Sequence, residues 1–326
     1  MRDGKPSANH TAIRSILAYA EAVRRCAVEP LVVVIDSRRR LITCALALLR
    51  RLAQALAMDY PADCFLRHIR ACNNAVLPGR RSRLRIGAAE VGWVLPEHAP
   101  LLVLADRAAF DVYVTRLRRA GAFRTRSEAF DVRDEDTGAV VATVDRGAIP
   151  VLGIRAEGVH MNGLVQRPDG LYLWVGRRAP DKRLDPDKLD HLTAGGIPAG
   201  HDALSTLVKE ADEEASLPAA LVRTATPVGV IGYAMERAEG LRRDRLYCFD
   251  LMLDEAVVPR PNDDEVVAFS LWPIAEVARR VAETDDFKFN VNLVLIDLLL
   301  RTGTIDRDGP IDHAMAAVRQ QTADTR

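Results

Sequence analysis

Several familiar signatures are missing from these 326 residues. The five cysteines, Cys26, Cys44, Cys64, Cys72 and Cys248, are odd in number and scattered, with no C-x-x-C pair. That spacing speaks against a disulfide framework and against a zinc site, and leaves reduced thiols as the expected state. An excess of one charge is missing too. Lys plus Arg and Asp plus Glu stand at 45 each, so no overall positive field draws nucleic acid or an anionic membrane. No apolar run approaches the roughly 20 residues that span a bilayer. The nearest, residues 41–49, is too short, follows Arg38, Arg39 and Arg40, and precedes no small-residue cleavage signal. These absences predict a cytoplasmic protein with no nucleic-acid or membrane partner. What the chain does have is 48% apolar content, enough for the core of one large or two modest domains.

The most informative stretch is residues 189–217, LDHLTAGGIPAGHDALSTLVKEADEEASL, a glycine-rich loop feeding a short acidic helix. Glu210, Glu213 and Glu214 sit at i, i+3 and i+4, which places three carboxylates on one helical face. Like charges at that spacing repel by roughly 0.2–0.5 kcal/mol per pair on an exposed helix. A hard divalent cation reverses the sign, because Mg²⁺ takes oxygen ligands and leaves room for water and phosphate oxygens.

The same residues resemble the Nudix box, in which a glycine, five residues, a glutamate and seven residues precede Arg-Glu-apolar-x-Glu-Glu-x-Gly-apolar. Gly195 matches the leading glycine, Glu210 and Ala211 follow the arginine position, Glu213 and Glu214 match the paired glutamates, and Leu217 closes the motif. Three positions depart: His201 replaces the first glutamate, Lys209 the arginine and Ser216 the last glycine. VHMNGLV, LWVGRRAPDK, KEADEEA and LWP followed by TDDFKFNVNLV, together with Asn73 and Asn74 after a first helix, resemble the branch related to the Nudix part of fungal proteins fused to thiamine pyrophosphokinase.

Taken in order, residues 1–57 read as a helical extension, with helix-like runs at 12–27 and 41–58; a second reading is that they are not native coding sequence, since Met58 directly precedes the part resembling the family. Residues 58–148 read as a small α/β N-terminal domain. Phe65, Ile69 and Cys72 share a helical face, residues 84–86, 91–94 and 140–144 are strand-like, and 106–120 is helical. Residues 149–303 read as the hydrolase domain. Its runs at 159–165 and 171–175 flank a hairpin turn at Asp169-Gly170, further strands fall at 224–234, 245–253 and 266–272, and helices at 274–281 and 289–301 close it. Residues 304–326 are polar and read as a fraying tail.

The resemblance implies an α/β/α sandwich with a mixed sheet and an Mg²⁺- or Mn²⁺-dependent hydrolase acting on a small organic diphosphate, damaged oxo or oxy forms of thiamine diphosphate being the first substrates to try. It implies metal ligands at Gly195, Glu210, Glu213 and Glu214. It gives Lys209 the task of orienting a carboxylate, as a point charge where arginine offers a fork. The general base is Glu214 or a carboxylate after the box such as Glu265. Arg177, Arg178, Lys182, Lys188 and Gly196 are expected to meet the phosphates. Two alternatives remain open at this stage, an isopentenyl-diphosphate isomerase-like enzyme and a non-catalytic module that senses a nucleotide or other diphosphate. The oligomeric state is left open.

Overall fold

The computed structural model describes residues 60–323 apart from residues 102 and 308. The helical runs expected before residue 58 lie outside the described residues. Helix α1 (Asp63–Cys72) buries Phe65, His68, Ile69 and Cys72 on one face, as its apolar spacing predicts. Strands β1 (Ser82–Ile86) and β2 (Ala89–Val94) pair antiparallel. Helix α2 (Arg107–Arg119) begins at Asp106, whose carboxylate accepts from the Ala109 N–H at 2.9 Å. Strands β3 (Ala129–Arg133) and β4 (Val140–Asp145) form a second antiparallel pair, and the short helix α3 (Ile149–Leu152) ends at left-handed Gly153. Leu84, Val94, Phe110, Leu117, Phe130 and Val144 share one core. Helix α1 packs elsewhere, in the core described next.

The remaining chain builds a mixed sheet. Strands β5 (Arg155–Arg167) and β6 (Gly170–Arg178) form the expected hairpin, with Arg167 opposite Gly170, whose φ of 146° a side chain would resist. Strands β7 (Leu189–Asp190) and β8 (Thr193–Gly196) lead to helix α4 (Ala203–Ala215) and a short helix α5 (Ala219–Val222). Strands β9 (Thr226–Arg237), β10 (Gly240–Met252) and β11 (Val266–Pro273) follow, then helices α6 (Ile274–Glu283), α7 (Val291–Thr302) and α8 (Pro310–Ala323). The order is β11-β6-β5-β10-β9, with β7 added to β6 and β8 to β5. Only the β5–β10 pairing is parallel among the described strands.

Strand alternation divides the core between the two sheet faces. Val159, Met161 and Val165 pack with Leu207, Ala211 and Ala215 of α4, whereas Leu164, Leu173 and Val175 pack with α1, α6, α7 and α8. This is the α/β/α sandwich with a mixed sheet that the sequence predicts. Helix α7 is buried on all sides from Val291 to Leu300, as its dense apolar run requires. The end of the chain differs from expectation. Residues past Gly303 do not fray at once: Ile311, Met315 and Val318 of α8 enter the core, an i, i+4, i+7 stripe that isolated polar neighbours conceal in the sequence. No described helix is long and apolar enough to cross a membrane.

Candidate active site

Helix α4 is locally well specified. Asp202 and Ser205 form a reciprocal cap, with the Ser205 N–H donating to the Asp202 carboxylate at 2.7 Å, which fixes where the helix starts. Leu207, Ala211 and Ala215 anchor one face to the sheet, so the acidic positions are carried to the flank and the outside. Their exposures differ: the side chains of Glu210 and Glu213 are 18% and 49% exposed, and Glu214 is only 5% exposed. Gly195 of β8 lies against Glu210. A Cβ at Gly195 would sit 2.3 Å from Glu210 Cδ, so a larger residue there would displace the Glu210 carboxylate. The helix ends at Ser216 in the left-handed conformation, φ 55°, where the family motif has glycine; its Oγ donates to the Arg260 carbonyl at 3.0 Å.

The electrostatics are those of a carboxylate cluster short of cations. Lys209 Nζ reaches Glu213 at 2.6 Å and Glu210 at 3.3 Å. Glu214 accepts from Thr193 Oγ1 at 2.5 Å and from the Ala194 N–H at 2.9 Å. Burial pushes its carboxyl up to about 8 against those hydrogen bonds, with the charges of Asp190 and Glu210 adding to the rise. Glu210 is also raised, first by burial and then by Glu213 and Glu265, although Lys209 opposes them. Glu265 therefore belongs to the same field. It pairs with Lys182 at 2.6 Å and is half exposed.

The basic residues expected to meet phosphate do not converge as free cations. Arg177 is held by Asp187 through two contacts of 2.7 and 2.8 Å, and Lys188 donates to the Asp285 carbonyl. Arg178 is buried, donating to Asp190 at 2.8 Å and to the carbonyls of Leu184 and Asp185. Lys182 alone of the four stands beside a member of the carboxylate cluster, Glu265. Gly196 faces β3 instead: a Cβ there would meet Phe130 Cζ at 2.6 Å. His201 lies beside the start of α4, in the wall of a separate cavity lined also by Asp202 and Ala203.

A second polar cluster went unnoticed in the sequence. His160, Asp190 and His191 are buried, with potential ligand atoms within 4.8 Å of one another. The two Nδ1 atoms are 3.0 Å apart, the distance of a shared hydrogen bond, and the rings meet edge to face. Asp190 takes Arg178, Lys288 at 3.2 Å and the His191 N–H. Burial raises its carboxyl, but Lys288 and Arg178 outweigh that and hold it well below the usual range. Burial lowers His160 well below the usual imidazole range, and lowers His191 to about 4. His160 and Asn162, polar residues inside the apolar run of β5, were the available signal.

The two clusters fit a divalent cation differently. Around Asp190 an incoming cation would meet Lys288 and Arg178 at contact distance. On α4 the donors are hard oxygens, the acids outnumber the bases, and the Glu210 carboxylate lies directly over Gly195. The α4 residues fit Mg²⁺ or Mn²⁺ chemistry.

No family model matches the chain. Nudix hydrolase 20, chloroplastic, of Arabidopsis thaliana is 42% identical over 180 residues, 55% of this chain and 48% of that protein. Nudix hydrolase 24, chloroplastic, of the same plant is 39% identical over 185 residues, 57% and 51% of the two chains. The chain thus spans about half the length of the curated relatives it matches. Among solved structures, a Deinococcus radiodurans protein superposes with a TM-score of 0.40 at 18% identity, covering 52% of this chain and 97% of the other. The NUDIX domain of Shewanella oneidensis NrtR, complexed with ADP ribose, gives 0.37 at 12% identity, covering 45% and 88%. The expectation of a cytoplasmic protein is overturned by the two plant relatives, both of which are chloroplastic. Likeness to these curated proteins over half the chain, together with Glu210, Glu213 and Glu214 on a helix packed against Gly195, supports the Nudix hydrolase family for this protein.

Proposed function

We propose that this protein is a divalent-metal-dependent hydrolase, with residues 149–303 as its catalytic region, that cleaves the phosphoanhydride bond of a small organic diphosphate and leaves a monophosphate. The observation that carries this reading is the carboxylate cluster of Glu210, Glu213, Glu214 and Glu265, four acids served by two lysines, with Glu210 packed against Gly195. Mg²⁺ or Mn²⁺ held by Glu210, Glu213 and Glu214, with Gly195 beside them, would neutralise the diphosphate and favour ionisation of the attacking water. Lys209 bridges Glu210 and Glu213 and so holds those two carboxylates together. Glu214 is anchored by Thr193 and Ala194, which restrains it to the β8 side of the helix. Glu265 is exposed enough to accept a proton from water, and Lys182 beside it offers a cation to a phosphate oxygen.

For the group attached to the diphosphate, the support is the sequence resemblance to the thiamine-linked branch, so oxo and oxy forms of thiamine diphosphate come first. The isomerase alternative is not favoured. It needs a cysteine facing its substrate, and burial pushes the thiols of both Cys72 and Cys248 up to about 12.

The test is product mass after incubation with Mg²⁺ and a panel of thiamine diphosphate, its oxo and oxy analogues, ADP-ribose and nucleoside diphosphates. Monophosphate from the thiamine analogues, absent with Glu213→Gln, is the expected result. Faster turnover of a nucleoside diphosphate would keep the reaction and move the substrate; binding without turnover of any member would overturn the hydrolase reading.

A further inference from the structure

The most informative feature away from the glutamates is a cavity of about 300 Å³ at the N-terminal end of α4. That volume is at the lower end of small-molecule sites, which run from roughly 300 to 1,000 Å³. Its floor is the same sheet face that carries α4. Arg155 and Glu157 continue the alternation of Val159 along β5, and Arg245 and Tyr247 continue that of Phe249 along β10, with Glu157 opposite Arg245 in the parallel register. Where the helix stops covering the sheet, the face changes from apolar to charged. The loop between β8 and α4 contributes Ile197 and His201 to the lining, and Arg133 at the end of β3 and Gly138 in the turn before β4 complete it.

Glu157 is the carboxylate on the floor, and it is already engaged. Arg133 approaches it at 3.3 Å, Arg245 at 3.8 Å, and Tyr247 donates its hydroxyl at 3.1 Å. Asp202, the other acid in the lining, caps α4 through the Ser205 N–H. Arg155 has no ion pair among the described residues, although it is half buried and stands beside Arg243 in the β5–β10 register. Burial lowers its guanidinium from the usual arginine range; Glu135 works against this, and the charges of Arg243 and Arg245 lower it further. A desolvated arginine hemmed in by two others gains from an anion more than a surface arginine does.

We infer that this cavity is a binding site for a compact oxyanion, of the kind presented by the phosphate of a small metabolite, with Arg155 as its principal ligand and Arg133 and Arg245 completing the cradle. It is separate from the glutamate face, yet the two share one loop. Ile197 donates its N–H to the Glu157 carbonyl at 2.9 Å, and Gly195, two residues earlier, is the residue pressed against Glu210. This location also accounts for His201: the residue that departs from the family motif faces the anion cavity and not the carboxylates.

The test is calorimetric titration of inorganic phosphate into the full chain in EDTA, so that no metal on the glutamates can recruit it. A saturable one-site heat is expected in the wild type and in Glu213→Gln, with affinity lowered at least about tenfold in Arg155→Gln, the loss of one charge-assisted hydrogen bond. Amide shifts in the wild type locate the ion without relying on a variant that must fold; perturbations at Gly138, His201 and Ala203 are expected. No saturable heat, equal affinity in Arg155→Gln, or shifts confined to residues 209–214 would overturn the inference. Because the titration needs no turnover, its failure leaves the hydrolase reading standing, and the reverse also holds.

Discussion

The glutamate face of α4 and the buried cluster around Asp190 both hold carboxylates, yet their charge balance runs in opposite directions. Around Glu210, Glu213, Glu214 and Glu265 stand two ammonium groups, Lys209 and Lys182. Around the single carboxylate of Asp190 stand Arg178 and Lys288, with two imidazoles that burial keeps neutral. Folding alone explains the second arrangement, since each buried charge has its partner. It does not explain the first, where carboxylates repel one another and burial raises two of them. A group that weakens the fold when left alone marks where a ligand is expected to complete it.

The sharpest way to break this comparison is to remove an acid from each cluster. Asp190→Ala leaves Arg178 and Lys288 buried without a counter-ion, and is expected to cost about 3–5 kcal/mol in a urea titration. A loss below about 1 kcal/mol would remove the structural assignment. Acid should act on the same cluster. His191, faced by Asp190, Lys288, His160 and Asp250, has its folded pKa lowered to about 4 from 6.5. A lowered imidazole is neutral in the fold, so the unfolded chain binds the proton first, and stability falls as pH drops from about 6.5 towards 4. The expected loss from His191 is about 3 kcal/mol at pH 4, and His191→Asn should flatten that part of the profile of Tm against pH.

On the glutamate face the sign reverses. Glu210→Gln and Glu213→Gln should lower kcat/KM on the order of 100-fold or more, with Tm in EDTA unchanged or higher. A fall in Tm to match the fall in activity would make these residues structural. The smallest effect belongs to the end of the same helix. Ser216→Gly should stay within about 0.5 kcal/mol of wild type, since relief of the left-handed strain is offset by the lost hydrogen bond to Arg260, while Ser216→Val should lose about 1–2 kcal/mol.

Much of this was legible in the sequence because it follows local rules. The period of α1, the helix beginning near residue 106, the Asp169-Gly170 hairpin and the all-round apolar α7 each depend on residues close in the chain. The i, i+3, i+4 glutamates belong to the same class. What escaped depends on long-range placement. Arg177 and Arg178 are adjacent in sequence, but strand alternation sends one to exposed Asp187 and the other to buried Asp190. The cluster of His160, His191 and Lys288 joins residues from three separate stretches, so the polar interruption of β5 at His160 and Asn162 does not by itself reveal its partners. Helix α8 was missed because only Ile311, Met315 and Val318 carry its apolar stripe. The cavity at Arg155 needs β5, β10, the glycine loop and the β3–β4 hairpin together.

The most direct measurement is Mn²⁺ binding followed by electron paramagnetic resonance, which reads free ion without reference to any substrate. The wild type and His191→Asn should remove Mn²⁺ from solution equally, and the double variant Glu210→Gln, Glu213→Gln should leave it free at the same protein concentration. Retention of bound Mn²⁺ by the double variant, with loss in His191→Asn, would place the cation on the His160, Asp190 and His191 cluster and contradict the assignment of the glutamate face as the catalytic centre.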